Sequence, residues 1–303
     1  MPITRRRLIT ISAALAFLPG VARAATLADR VWTGQALGAR ASIHINHPDG
    51  ASITKRVMTE INRLENILSL YRPDSALAAL NQEGQLADPP FELLECLSLA
   101  GGVHAASGGR FDPTVQPLWT IWAEAAVRGD RPDARSIEDA RGKVGWQMVR
   151  LDGARITLKP GMALTLNGIG QGYVADRVAS LLEAEGLTDI LIDTGEFRAL
   201  GGRPGGGDWP VLLEAGGRLA LRQRAVASSA PLGTTFDDGG TNGHILDPAT
   251  GMPAAVQWRS VSVSAPSAAV ADALATAACL MPDVASIEAL VDRFAGARLE
   301  YAG

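Results

Sequence analysis

The stretch Ala163-Leu164-Thr165-Leu166-Asn167-Gly168-Ile169-Gly170-Gln171-Gly172-Tyr173-Val174-Ala175-Asp176 constrains the fold more than any other part of the chain. Its apolar residues alternate up to Leu166, which predicts the end of a strand. Gly168, Gly170 and Gly172 then occupy every second position, which suits a tight turn where backbone meets a ligand. Val174, Val178, Leu181 and Leu182 recur at helical spacing, so a helix is expected just past the glycines. A glycine loop feeding a helix leaves N–H groups and a positive dipole end facing outward, as a phosphate site requires. A strand-to-helix turn with no ligand is the plainer reading of the same pattern.

The chain is 303 residues long, 47% hydrophobic and 20% charged. That is enough for a large core in one domain. A net charge of −4, with no basic stripe after the first residues, argues against nucleic acid as a partner. At the N-terminus, Thr4-Arg5-Arg6-Arg7-Leu8-Ile9 precedes an uncharged run ending at Leu18, and Ala22-Arg23-Ala24 offers a cleavage site. Residues 1–24 read as an export signal of the twin-arginine type, with a Sec signal as the alternative. The expected location is periplasmic, and the apolar run is too short for stable membrane insertion. Residues 25–303 remain as the mature domain. Cys96 and Cys279 lie in apolar helical patterns; they read as buried free thiols, with one disulfide as the alternative. No C-x-x-C or H-E-x-x-H occurs, and the chain has four histidines, so a histidine-rich metal site is not expected.

Elsewhere the patterns predict a hairpin over Val31–Ala36 and Ala41–Asn46, turned at Leu37-Gly38-Ala39. A helix capped by Ser52 follows, with Ile53, Val57, Met58, Ile61, Leu64, Ile67 and Leu68 on one stripe. Further helices are expected over Phe91–Ala106, from Phe111-Asp112-Pro113-Thr114 through Trp122, from Ser267 to Met281, and over Ala285–Phe294. Arg128–Arg141 reads as a polar surface excursion. Short strands are predicted near Met148–Leu151, Arg155–Leu158, Ile190–Asp193, Ala199-Leu200, Val211–Glu214, Leu219–Leu221 and Arg259–Ser264. No regular βαβ beat appears, which favours an α+β fold over a doubly wound sheet.

Three places carry candidate chemistry. Asp272 and Thr276 are four apart in an alanine-rich helix, so both oxygens leave one face, an arrangement that suits a hard cation such as Mg²⁺. Helix-terminal charge on Asp272 and back-bonding by Thr276 would explain the same residues without a ligand. His244, in Gly243-His244-Ile245-Leu246-Asp247-Pro248-Ala249-Thr250-Gly251, has the free pKa for proton transfer near neutrality, although Asp-Pro and Thr-Gly already explain that turn. Asp112 can be a helix cap, and Tyr71 can stack on a flat ring or close its helix.

Five segments occur in one order: Ser69-Leu70-Tyr71-Arg72-Pro73-Asp74-Ser75 with Leu80-Asn81, Gly109-Arg110-Phe111-Asp112-Pro113-Thr114-Val115, Gly168 to Tyr173 with Asp176, His244 to Gly251, and Ala271 to Ala277. Together they resemble the ApbE family of FAD:protein FMN transferases, from about Trp32 to the last helix. The resemblance implies an α+β, T-fold-like architecture of antiparallel sheets with packed helices. It also implies FAD as substrate, Mg²⁺, and transfer of FMN to a Thr or Ser hydroxyl of a client flavoprotein with release of AMP. By matching positions, Asp272, Thr276 and the Gly168 carbonyl would hold the metal. Leu37, Tyr71, Asp112, Thr165, Gln171 and Leu246 would contact the flavin nucleotide, and His244 is the candidate general base.

The chain departs from the family pattern at Thr165, where Asp is usual, and at Gln171, where Lys or Glu is usual. Glu196 and Ala230 each stand where the family has Gly. Asp193-Thr194-Gly195-Glu196-Phe197-Arg198 and the export signal resemble the NosX-type periplasmic branch. The resemblance there implies a client whose FMN-binding domain is membrane-attached and serves nitrous oxide reductase maturation. The neutral Thr165 and Gln171 leave two alternatives in view, an FAD-binding accessory protein without transfer and an FAD pyrophosphatase.

Overall fold

A computed structural model describes residues 30–45, 47–213 and 216–303, so the export signal lies outside the described residues. The chain runs β1 (Arg30–Ala36), β2 (Ala39–Ile45), α1 (Gly50–Leu68), α2 (Ala76–Glu83), β3 (Gln85–Ala87), α3 (Phe91–Ala106) and α4 (Gln116–Val127). It continues with α5 (Ala134–Arg141), β4 (Arg150–Asp152), β5 (Arg155–Thr157), α6 (Gly170–Ala184), β6 (Ile190–Asp193), β7 (Phe197–Leu200), β8 (Trp209–Leu212) and β9 (Arg218–Leu221). Last come β10 (Ala225–Ser229), β11 (Val261–Ala265), α7 (Ala268–Ala278), α8 (Val284–Val291) and β12 (Arg298–Ala302). Among the described residues, no helix is long and apolar enough to cross a membrane.

Seven strands form the main sheet in the order β1-β2-β6-β7-β10-β11-β12, with every neighbouring pair antiparallel. Strand parity decides which side chains meet which layer. Ile190, Ile192, Leu200, Ala225, Ala227, Val261 and Val263 enter the main core under the helices. Their alternates Leu191, Ala199 and Val226 face the opposite side, where Trp209, Val211 and Leu221 of the β8–β9 hairpin cover them. A small sheet, β3-β5-β4, pairs Leu86 with Ile156 and Leu151 with Ile156. The fold is therefore α+β, as expected from the absence of a βαβ rhythm.

The long helices follow their apolar stripes. Helix α1 buries Ile53, Val57, Ile61, Leu64, Ile67 and Leu68, while Met58 is partly buried against the same core. It starts earlier than expected, with Asp49 and not Ser52 at its N-cap, because the turn His47-Pro48-Asp49 feeds it directly: Gly50 N donates to His47 O at 3.0 Å. The segment 128–141 is not only a surface excursion; it contains α5, whose N-cap Asp133 accepts from Ser136 N. Helix α2 and strands β3, β10 and β12 are additions that the sequence pattern did not reveal. Both cysteines are buried thiols, not joined in a disulfide.

The opening stretch differs most from expectation. Residues 163–167 are not a ladder strand, because their backbone bonds go elsewhere. Asn81 brackets Leu164, its Nδ2 donating to Leu164 O at 2.8 Å and its Oδ1 accepting from Leu164 N at 2.7 Å. Thr165 N donates to Pro113 O at 2.8 Å. Helix α6 begins at Gly170, so the last two glycines form its first turn instead of preceding it.

Candidate active site

The three glycines of this stretch do not adopt left-handed backbone; each sits at a close approach, and at Gly172 the neighbour is backbone that leaves no room for a side chain. A Cβ on Gly168 would lie 3.1 Å from Thr276 Oγ1 and 3.2 Å from Phe111 Cε2, one on Gly170 would lie 3.0 Å from Leu37 Cδ1, and one on Gly172 would lie 2.2 Å from Ala268 O. The loop thus touches α7 at two levels, and the β1–β2 turn at a third. Helix α7 can come so near because Ala268, Ala269, Ala271, Ala273, Ala275, Ala277 and Ala278 line it with methyl groups only. Its N-terminus is anchored to α6 by Asp176, which accepts from Ala268 N at 2.9 Å, Ala269 N at 3.0 Å and Ser267 Oγ at 2.7 Å.

Within this contact lies Asp272, 4% exposed. Its one hydrogen bond among the described residues comes from Gly172 N, at a long 3.3 Å. Burial pushes its pKa up to about 7, against the smaller lowering effect of that N–H. A carboxylate so placed at the N-terminus of α6 gains from the helix dipole, yet most of its lone pairs are unmatched. One turn on, Thr276 Oγ1 lies 3.2 Å from Ser229 Oγ and beside Gly168. Thr276 thus meets the glycine loop at Gly168 and Asp272 meets it at Gly172, from successive turns of α7. Among the described residues no cluster of three or more His, Cys, Asp or Glu could hold a metal. A cation here would draw on a mixed oxygen set, and an under-bonded buried carboxylate next to a hydroxyl and a backbone loop fits a hard divalent ion.

Four of the six expected nucleotide contacts flank the same loop. Leu37 sits in left-handed backbone, φ 49°, at the tip of the β1–β2 hairpin and against Gly170. Tyr71 is 58% exposed, its ring 3.9 Å from the Cβ position of Gly38 and its hydroxyl 3.4 Å from Asn167 Nδ2. Thr165 Oγ1 accepts from Asn167 N at 3.2 Å. The Gln171 side chain lies against Gly195, and the backbone carbonyl of Gln171 accepts from Thr194 Oγ1 at 3.0 Å. These residues lie along the Thr165–Gln171 loop and the β1–β2 turn that touches it.

Asp112 and Leu246 are more deeply committed to structure. Asp112 Oδ1 accepts from Thr114 N at 2.8 Å and Thr114 Oγ1 at 2.6 Å, the capping role its sequence allowed, while Oδ2 lies 3.5 Å from His104 Nδ1. The Leu246 side chain packs with Leu118, Trp122 and Ala140 in a separate small cluster. Its turn is held there by Trp122 Nε1, which donates to Gly251 O at 2.9 Å. His244 is partly buried, with Nδ1 3.1 Å from Thr234 O. Burial lowers its pKa, while contacts to Thr234 and Pro231 act weakly the other way. A proton on Nδ1 donated to Thr234 O leaves Nε2 with a free lone pair, the tautomer a general base needs.

Ser229, Phe111 and Glu65 contact these residues; Phe111 stands in the Gly109–Val115 segment already noted, whereas Glu65 carries no local signal. Ser229 reaches Thr276 only through the pairing of β10, Phe111 backs Gly168 from the turn before α4, and Glu65 Oε1 accepts from Leu37 N at 2.7 Å from the far side of α1.

The ApbE family profile matches residues 37–298. A FAD:protein FMN transferase of Treponema pallidum is 33% identical over 270 residues, covering 80% of this chain and 74% of the relative. The FAD:protein FMN transferase of Escherichia coli K12 is 27% identical over 300 residues, covering 90% and 86%. Among solved structures, the apo flavinyl transferase ApbE of Pseudomonas stutzeri aligns with a TM-score of 0.78 at 28% identity, over 87% of this chain and 88% of that one. The ApbE protein of Thermotoga maritima gives 0.79 at 26% identity, over 89% and 93%.

Proposed function

Because the chain belongs to the ApbE family, we propose that it is an FAD:protein FMN transferase acting on a client flavoprotein. The observation that carries this reading is the meeting of buried Asp272 and Thr276 with the glycine loop at Gly172 and Gly168, beside Leu37, Tyr71 and Gln171. FAD is the substrate. A client Thr or Ser hydroxyl oxygen forms a new bond to the phosphorus of the FMN half. The P–O bond to the AMP half breaks, the bridging oxygen leaves with AMP, and the hydroxyl proton passes to His244 Nε2.

Each residue has a part in that exchange. Tyr71 and Leu37 hold the flavin nucleotide flat, and the Gly168–Gly172 loop lets backbone approach the diphosphate. Asp272, Thr276 and the Gly168 carbonyl would hold Mg²⁺, whose charge would offset the negative charge that builds on the diphosphate as it cleaves. His244, neutral because burial depresses its pKa, accepts the proton without first having to lose one. We further assign the protein to the periplasm on the strength of residues 1–24. A membrane-attached client of nitrous oxide reductase maturation fits the NosX-type segment Asp193–Arg198.

One specific observation favours a second reading. Thr165 is engaged by Asn167 N and Gln171 is turned against Gly195, so neither supplies charge to the diphosphate. An accessory protein that carries FAD without cleaving it accounts for the same residues. The deciding experiment incubates the mature protein with FAD, Mg²⁺ and an FMN-binding client domain, then reads flavin fluorescence on a denaturing gel and AMP in solution. Client-bound flavin with equimolar AMP supports transfer. Tight FAD binding with no AMP supports the accessory reading, and free FMN plus AMP supports a pyrophosphatase.

A further inference from the structure

Leu37 is an unlikely residue for its conformation. A leucine at φ 49° sits in the left-handed region, which is strained for a residue with a side chain of this kind. Something must hold it, and the segment before Tyr71 supplies the hold. Glu65, its side chain 12% exposed, accepts the Leu37 amide at 2.7 Å. Arg72 NH2 pairs with the other oxygen of Glu65. Arg72 is itself oriented by two more residues of α1, donating to Asn66 Oδ1 at 2.6 Å and to Asn62 Oδ1 at 2.9 Å. The guanidinium thus locks the carboxylate, and the carboxylate locks the turn. Arg72 directly follows Tyr71, so one clamp sets the relative position of the Leu37 turn and the Tyr71 segment.

We infer that Glu65, held by Arg72, is a positioning residue that keeps the Leu37 turn in its binding-competent form. The inference rests on the flavin site proposed above, and it assigns Arg72 in the Tyr71 segment a purpose. When a competent conformer is only partly populated, apparent affinity falls by that fraction. Freed of its acceptor, Leu37 would leave the left-handed region and the competent turn would fall to about a tenth of the molecules.

The test uses Glu65→Ala and Glu65→Gln in the otherwise intact protein, with two readouts. Hydrogen exchange of the ligand-free turn at Leu37 is expected to quicken about ten-fold in Glu65→Ala. In Glu65→Gln it quickens less, because the amide oxygen still accepts from Leu37 N while the amide nitrogen, itself a donor, no longer takes the Arg72 guanidinium. Titration of FAD by flavin fluorescence is expected to give about ten-fold weaker binding for Glu65→Ala and a smaller loss for Glu65→Gln. Wild-type exchange in Glu65→Ala overturns the inference. So does equal impairment of both variants, which would show that acceptance of the Leu37 amide is not what holds the turn. If the wild-type protein binds no FAD, the flavin reading falls, while the exchange arm still decides the role of Glu65.

Discussion

Gly172→Ala sets two well-known effects against each other. Replacing a helical glycine by alanine normally stabilises by about 0.5–1 kcal/mol, through backbone entropy. At Gly172 the new methyl would lie 2.2 Å from Ala268 O, 2.5 Å from Ala268 C and 2.7 Å from Ala269 N, all backbone. No rotamer change relieves that overlap, so α6 and α7 must part by about 1 Å to restore an ordinary contact. Overpacking of this kind costs about 1–3 kcal/mol, and the weakened Gly172–Asp272 bond adds to it. The net expectation is a loss of about 2 kcal/mol, a melting point lower by about 4 °C. The same displacement moves Asp272 and Thr276 away from Gly168, and a 1 Å misplacement in a positioned site costs on the order of 100-fold in rate. Gly102→Ala is the control, since this exposed position within α3 has nothing within 4 Å of its Cβ. It should raise stability by about 0.5–1 kcal/mol and leave transfer alone. Thermal unfolding and the gel assay on both variants decide the matter. A Gly172→Ala protein that melts at or above wild type with full transfer would refute the close-packed junction.

Other expectations follow from the same contacts. Asp272→Ala removes a buried carboxylate with a single long donor, so the ligand-free protein should be at least as stable; Mg²⁺ is expected to raise the melting temperature of the wild type and not that of the variant. If Mg²⁺ still shifts the variant, Asp272 is not a ligand. His244 has its native pKa held below 6.5 by burial, so the unfolded chain protonates first as pH falls. Its contribution is complete above pH 6.5 and is lost below it, down to the native value; His244→Gln should flatten the stability profile over that window, and an identical slope would remove the argument. Asp176→Ala strips the α7 N-terminus of three acceptor contacts and should cost about 2 kcal/mol in denaturant unfolding, whereas an unchanged midpoint would show that Ser267 alone suffices as cap.

What could be read from the sequence was what repeats locally. The stripe from Ile53 to Leu68 and the run Phe91–Ala106 carry a helical period over four turns or more, and both became helices in place. The Asp272–Thr276 spacing needs only helix geometry, so it too was legible. Strand β10 was not, because Ala225–Ser229 has no alternation to display: both of its faces are covered. The expected strand at 163–166 failed for a related reason. Its alternation is real, but Asn81 and the Pro113 carbonyl, both distant in sequence, take the bonds a partner strand would have taken. Contacts such as Ser229 on Thr276 and Glu65 on Leu37 span 47 and 28 residues, and they exist only once the sheet and α1 have been assembled.

The alanine lining of α7 has a consequence beyond close approach. Alanine has no rotamers to lose, so a helix built from it orders at almost no side-chain entropy. Along the buried face of α7, Asp272 and Leu274 are the residues with side-chain torsions to settle. The position of the Asp272 carboxylate is therefore dictated by where the backbone lies, with little slack from neighbouring side chains shuffling among alternatives. Such a site has few soft degrees of freedom to absorb a wrong ligand. Its selectivity for ion size should follow the spacing of two helices, and it should tighten or relax as that spacing does.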